Sequence, residues 1–251
     1  MKKILLTNDD GVSADGIRKL AEVLKKTYDV IIVAPDRERS ASSQALTLHS
    51  PLRLKEIENN VFSVDGTPTD CVNLATNIVD NNGIDLVISG INRGQNMGED
   101  VLYSGTVAAA IEAMNLGYPA IAVSLTDPTS SFLDCAKIIH SILENDIFSI
   151  ITEKTIFNIN IPPLPPNEIK GIKVTKLGHR VYNDFIQERV DPRGKSYFWI
   201  GGEAPQWQGD EKTDVYAIQH GYVSITPITI DMSDYNYFPV IKKWLEDKFS
   251  N

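Results

Sequence analysis

Cysteine is scarce in this chain: only Cys71 and Cys135 occur among 251 residues. They are far apart, without C-x-x-C spacing, and sit in apolar stretches of helical pattern. They therefore read as buried free thiols rather than a disulfide framework or a metal site. Long apolar runs are absent as well, and no stretch approaches the roughly 18 residues that a membrane span requires. The opening MKKILLTNDD offers only Ile4, Leu5 and Leu6 before charge appears, too little for the apolar core of a signal peptide. A cytoplasmic, reducing location is the expectation. Positive charge is never concentrated: no run of five or six Lys or Arg occurs, and the formal net charge is −9. A broad basic face for duplex nucleic acid is thereby excluded. An anionic substrate would need local help, from a metal or from backbone NH groups.

Several signature motifs are also missing. No GxGxxG follows the first apolar run and no GxxxxGK[ST] occurs, which argues against a dinucleotide fold and a P-loop. His49, His140, His179 and His220 are scattered without HExxH or related spacing, so they read as structural or surface residues rather than zinc ligands. Neither cysteine has a His partner in a polar loop, which removes a thiol nucleophile. With 42% hydrophobic and 23% charged residues the composition is that of an ordinary globular protein, long enough for one large domain or two small ones.

What is present is a regular alternation. Residues 3–7 (KILLT) read as a strand, and 16–26 carry Ile17, Leu20, Val23 and Leu24 at helical spacing. Residues 29–35 (DVIIVAP) form a continuous apolar run, as expected of a strand covered on both faces. The spacing predicts a helix over 70–79, a strand over 85–92 (DLVISGIN), a small-residue helix over 104–114, a strand over 119–125, a helix over 132–143 and a strand over 155–162. This β-α-β order implies an α/β fold with a mostly parallel, doubly wound sheet. After PPLPP (162–166) the texture changes to aromatic-rich alternating segments, GIKVTKLG, SYFWIGG and TDVYAIQHGYVSITPI. These predict an antiparallel hairpin extension, used as an oligomerisation arm, with a short helix near 240–249. The division expected is one domain, 1–251, with a Rossmann-like core over 1–165 and the extension over 166–251.

In an open α/β sheet, ligands bind beyond the carboxyl ends of the strands, and polar clusters occupy that position here. Asp9 and Asp10 follow the first strand. Adjacent carboxylates repel and are offset by a cation or by many hydrogen bonds. Mg²⁺ or Mn²⁺ would suit such a site, with neutral oxygens completing the shell. Asn-Asp-Asp-Gly is equally good turn chemistry, so the pair alone admits both readings. The next cluster holds Ser40, Ser42 and Ser43 beside Arg37 and Arg39: hydroxyls for a metal and cations for a phosphate, or simply a solvated loop. Asn92 and Asn96 flank Gly94 and present amides to a metal or phosphate, although Asn and Gly populate ordinary turns too. Ser104, Gly105 and Thr106 open an Ala-rich helix, where free NH groups and hydroxyls form a phosphate cradle; plain capping accounts for the same residues. Their common position on one rim of the sheet is what joins them.

These motifs together resemble the SurE family, the stationary-phase survival protein E type of 5′-nucleotidase. The resemblance runs through ILLTNDDGVSADGI, VAPDRERSASSQALTL, VDGTPTDCVNLA and DLVISGINRGQNMGEDVLYSGTVAAAIEA, and FNINIP is also similar. It implies a three-layer α/β fold, one divalent metal cation, hydrolysis of nucleoside 5′-monophosphates with 3′-monophosphates or polyphosphate as further substrates, cytoplasmic location, and homodimers or homotetramers built through the C-terminal arm. It places the metal ligands on Asp9, Asp10, Ser40 and Asn92, and the phosphate contacts on Asn96, Ser104, Gly105 and Thr106, with Asp9, Asp10 and Asn96 as the catalytic residues. SASSQALT departs from the family in lacking a Gly soon after the metal-binding Ser, which bears on the shape of that loop. A haloacid-dehalogenase-like phosphatase would want DxD where Asn8-Asp9-Asp10-Gly11 stands. A receiver-like signalling domain would want an Asp after the third strand and a Lys after a later one, where Asn92 and Thr126 stand. A noncatalytic nucleotide-binding protein remains the alternative of another class.

Overall fold

The computed structural model of the chain describes residues 1–80, 83–127, 129–181, 184–202 and 206–249. Its centre is a nine-stranded sheet. The strands are β1 (Lys3–Thr7), β2 (Asp29–Pro35), β3 (Leu54–Glu58), β4 (Val61–Val64), β5 (Leu86–Arg93), β6 (Ala120–Leu125), β7 (Ile156–Ile161), β8 (Ile172–Val174) and, much later in the chain, β13 (Val223–Ile228), ordered β3-β4-β2-β1-β5-β6-β7-β13-β8. The pairings β4-β2-β1-β5-β6-β7 are all parallel. A parallel sheet of this kind has to be covered on both faces, and side-chain alternation divides the core accordingly. Ile4, Leu6, Ile32 and Ile88 face helices α1 (Asp15–Leu24) and α4 (Phe132–Glu144). Leu5, Val33 and Val87 face α2 (Pro68–Leu74) and α3 (Gly105–Asn115). The predicted three-layer α/β architecture is the observed one, and each predicted element up to residue 162 is found within a few residues of its expected limits. Two departures stand out there. The second helix ends at Leu74 and continues over Ala75–Val79 as a π-helical turn, and the edge hairpin β3–β4 lay in a stretch that the sequence reading left unassigned.

The C-terminal third is a mixture. As predicted, SYFWIGG lies in an antiparallel hairpin, β10 (Asp184–Val190) with β11 (Ser196–Gly202). A second short pair joins β9 (His179–Val181) to β12 (Gln206–Gln208). TDVYAIQ, expected as a strand, is instead helix α5 (Asp214–Gln219), with the Thr213 hydroxyl accepting from the Tyr216 NH at its N-terminus. The segment after it does not extend outward: β13 returns to the central sheet, antiparallel to β7 and parallel to β8. Alternation of apolar residues reports a half-buried strand, but not which sheet receives it. Helix α6 (Phe238–Phe249) closes the chain with none of its residues buried.

Candidate active site

The rim at the carboxyl ends of β1, β2, β5 and β6 brings the four polar clusters together. After β1 the chain turns at Asn8–Gly11. The buried Asn8 side chain closes this turn on itself, donating from Nδ2 to the Gly11 carbonyl (3.0 Å) and accepting from the Gly11 NH (3.2 Å). Gly11 has φ +102°, and a Cβ there would lie 3.1–3.4 Å from the Arg37 backbone. The second loop is tied to the first by the Arg39 NH donating to the Asp9 carbonyl (2.7 Å). Its far end is fixed by Asp70 of the TPTD motif, whose carboxylate accepts from the Thr47 NH (2.9 Å), the Thr47 hydroxyl (2.6 Å) and the Thr67 NH (2.9 Å). That motif therefore serves the site indirectly, by anchoring the loop.

Asp9 is 5% exposed and takes a 2.5 Å hydrogen bond from the Thr106 hydroxyl on its Oδ1. A Cβ on Gly105 would lie 2.9 Å from Asp9 Cβ, 3.1 Å from Asp9 Oδ2 and 2.8 Å from Ser42 Oγ, so only glycine lets helix α3 start this close to the carboxylate. Burial pushes the Asp9 carboxyl up to about 6; the Thr106 hydrogen bond opposes this and the neighbouring Asp10 charge reinforces it. Asp10, only partly buried, accepts from the Arg93 NH (3.2 Å) and is also raised, first by burial and then by the Glu38 charge, with that NH bond opposing. Two carboxylates that both resist ionisation at one wall form a site short of positive charge.

The remaining expected residues divide by what they touch. Asn92 follows an irregularity in the β5–β6 pairing between Ser89 and Asn92, where Gly90 has φ +137° and a Cβ would meet the Val123 carbonyl oxygen at 2.4 Å. Its Nδ2 donates to the Gly94 carbonyl (3.0 Å), leaving the amide oxygen as its other polar atom. Ser104 caps α3, accepting from the Val107 NH (3.1 Å), while the NH groups of Gly105 and Thr106 lie in the first turn and have no intrahelical acceptor. Ser40 is exposed and donates to Glu38 Oε1 (2.7 Å). From the same loop it is Ser42 whose hydroxyl is buried beside Gly105 without a hydrogen-bond partner among the described residues. Ala41 and Ser43 have φ of +53° and +49°, so this loop makes with an alanine the left-handed turn that glycine would make more readily.

Asn96 is held by residues that the sequence reading did not single out. Its NH donates to Asn160 Oδ1 (2.9 Å), its carbonyl accepts from Asn158 Nδ2 (2.8 Å) and Asn160 Nδ2 (2.9 Å), and its own Nδ2 donates to Ser124 Oγ (2.8 Å). Asn158, Asn160 and Ser124 are completely buried in β7 and β6. The signal was there in FNINIP: two asparagines at i and i+2, on one face of a strand otherwise built for the core, need buried partners.

Among the described residues no three or more His, Cys, Asp and Glu side chains converge on a possible metal position. A cation at this rim would be held by two carboxylates and neutral oxygens, which is the donor set of a hard divalent ion. The buried Ser42 hydroxyl without a partner and the two raised carboxyls fit such a group.

Comparison with known proteins places the whole chain in a family. Residues 4–184 match the family model described as survival protein SurE. A 5′-nucleotidase SurE of Mannheimia succiniciproducens is 47% identical over 245 residues, covering 98% of this chain and 99% of that protein. One of Geobacter metallireducens is 48% identical over 247 residues, covering 96% and 97%. The crystal structure of the SurE protein from Aquifex aeolicus superposes with a TM-score of 0.86 at 42% identity, covering 96% of this chain and 99% of that one. Sequence and fold match over nearly the whole length: this chain belongs to the SurE family.

Proposed function

We propose that this protein is a metal-dependent 5′-nucleotidase that hydrolyses nucleoside 5′-monophosphates to nucleoside and phosphate. The observation that carries the reading is the contact between Thr106 and Asp9, which joins the acidic pair to the open NH groups of helix α3. A carboxylate wall beside a helix N-terminus suits a cation and a phosphate bound side by side. Asp9, Asp10, Ser40 and Asn92 would hold one divalent cation, Mg²⁺ or Mn²⁺. Bound there, it supplies positive charge to a phosphate oxygen and acidity to water. The Ser40 hydroxyl would turn away from Glu38 to take part.

The protein's own groups do the rest. The Asn96 amide, the Ser104 hydroxyl and the NH groups of Gly105 and Thr106 bind the phosphate oxygens and stabilise the charge that spreads over them during transfer. The Thr106 hydroxyl is already donated to Asp9, so its side chain orients the carboxylate while its NH serves the anion. Asp9 and Asp10 are the candidates for general base or nucleophile, and oxygen label from water appearing in a carboxylate after one turnover would reject direct water attack. The two buried free cysteines support a cytoplasmic location, and no helix among the described residues is long and apolar enough to cross a membrane. A second copy of the chain is the proposed cover for the exposed apolar side chains of the β10–β11 hairpin and α6, Phe198, Trp199, Ile200, Ile241 and Trp244 among them.

Phosphate release from nucleoside 5′- and 3′-monophosphates, di- and triphosphates and polyphosphate, with Mg²⁺, Mn²⁺ or chelator, tests the reading. Release is expected from the 5′-monophosphates, lost on chelation and in Asp10→Asn. Activity that survives both would sink the metal site, and binding without release would make the protein a noncatalytic nucleotide binder.

A further inference from the structure

The loop Arg93–Met97 divides the rim into two cavities. On one side Asp10, Asp15, Glu38, Arg93 and Phe132 help line a space of about 360 Å³. Three carboxylates there disfavour the carbonyl oxygens and electron-rich face of a nucleobase. On the other side lies a cavity of about 480 Å³, with Gln95, Met97 and Trp207 in its lining, Asp127 as its one carboxylate, Leu164 beyond the end of β7, and Ile218 from α5. We propose that this second cavity is the nucleoside subsite, with the base stacked on Trp207 and packed against Met97 and Ile218, and its polar edge met by the amides of Gln95 and Gln219. The proposal rests on the nucleotidase reading and assigns the part of the substrate that the phosphate and metal residues leave free.

Three features support it. The first is position: Gln95 and Met97 flank Asn96, so phosphate contact and cavity wall are neighbours in one short loop. The cavity opens over the ends of β6 and β7. Adjacent strands are about 4.8 Å apart, so this is one to two strand spacings, roughly 5–10 Å, beyond the end of β5, which suits a ribose and base extending from a phosphate held at α3. The second is chemistry. A mainly apolar cavity with one aromatic plate, two amides and a single carboxylate, Asp127, suits a neutral heterocycle, which offers a π-face and an edge with NH donors.

The third is rigidity. Gly98 has φ +51°, and a Cβ on it would lie 3.3 Å from Trp207 Cζ3, so the ring is seated against the backbone just beyond the Asn96 loop. Gly98 is itself fixed by its NH donating to Asp214 Oδ2 (3.1 Å), while Asp214 Oδ1 accepts from the NH groups of Gly178 (2.7 Å) and Val215 (2.8 Å). Arg180, paired with Asp100 at 2.6 Å, places its guanidinium 5.9 Å from the Trp207 ring. An aromatic wall already fixed in position needs little ordering when a base arrives.

The test compares kcat/KM for AMP, GMP and CMP with that for ribose 5-phosphate, under the same divalent cation, in the wild type, Trp207→Ala and Ile218→Trp. The first variant removes the plate and the second fills the cavity, so a folding failure in one leaves the other to decide. The ratio of nucleotide to ribose-phosphate kcat/KM is expected to fall about tenfold or more in each, mainly through KM, as loss of one stacked base predicts. A wild type without preference for nucleotides over ribose 5-phosphate, or folded variants that keep the wild-type ratio, overturn the subsite and leave the phosphatase reading standing. A wild type that cleaves ribose 5-phosphate but no nucleoside monophosphate overturns the nucleotidase reading instead.

Discussion

Replacing Asp9 by Asn is expected to abolish activity while stabilising the metal-free protein. The carboxyl is 5% exposed and raised by burial from 3.8 to about 6. Its ionisation in the folded, metal-free chain therefore costs roughly 3 kcal/mol relative to the unfolded chain. An asparagine fits the same space, keeps an oxygen for the Thr106 hydroxyl and carries no charge. Allowing for imperfect replacement of that hydrogen bond, the gain is about 2 kcal/mol, or a Tm rise of roughly 5 °C for a chain of this length. The sign follows from linkage. A carboxyl raised on folding contributes relative stability that is fully present below its unfolded value near 3.8 and is lost as pH rises through about 6. The hydrogen-bond loss of about 1 kcal/mol does not vary with pH. The Asn variant should thus gain most at pH 7.5, about a third as much at pH 5, and be less stable by up to about 1 kcal/mol below pH 4. Thermal unfolding in chelator at pH 7.5 and pH 5, beside phosphate release with Mn²⁺, measures it. A lower Tm for Asp9→Asn at pH 7.5, or an equal gain at both pH values, would refute the reasoning.

Three further outcomes are expected. Asn160→Leu leaves the buried Asn96 NH without its acceptor, so stability should drop by roughly 1–3 kcal/mol and kcat by at least about tenfold from a loosened loop; steady-state kinetics showing an unchanged kcat would contradict the role of the β7 asparagines. Ala41→Gly should raise the unfolding free energy by about 0.5 kcal/mol, because relief of the left-handed strain near 1 kcal/mol exceeds the added flexibility of the unfolded chain; denaturant titration showing a loss would mean that Ala41 is not left-handed. Light scattering after size exclusion should give a wild-type mass of two or four chains and a smaller one for the Trp199→Glu, Ile200→Glu double variant, and a monomeric wild type would discard the arm as an interface.

The sequence by itself determined the layers and the rim. Continuous apolar runs such as DVIIVAP and helical spacing such as Ile17, Leu20 and Leu24 are local patterns, and a residue directly after a strand or at the start of a helix must lie near an end of the sheet. Asp9, Asp10, Asn92 and Ser104 were legible for that reason. Only the tertiary structure decided which of these residues meet. Thr106 reaches Asp9 across 97 residues of sequence, and Asn160 reaches Asn96 across 64; the paired asparagines of FNINIP signal that a buried partner is needed, but no local pattern names either partner, since each contact follows from strand order and loop closure. The same holds for TDVYAIQ becoming a helix and VSITPI entering the central sheet as β13, since contacts made in the fold override local alternation. Which hydroxyl of the SASS loop lies beside the carboxylates is likewise a tertiary matter. The left-handed Ala41 and Ser43 turn the chain so that Ser40 meets Glu38 and Ser42 meets Gly105, and side-chain direction after such a turn is set by backbone angles that spacing does not reveal.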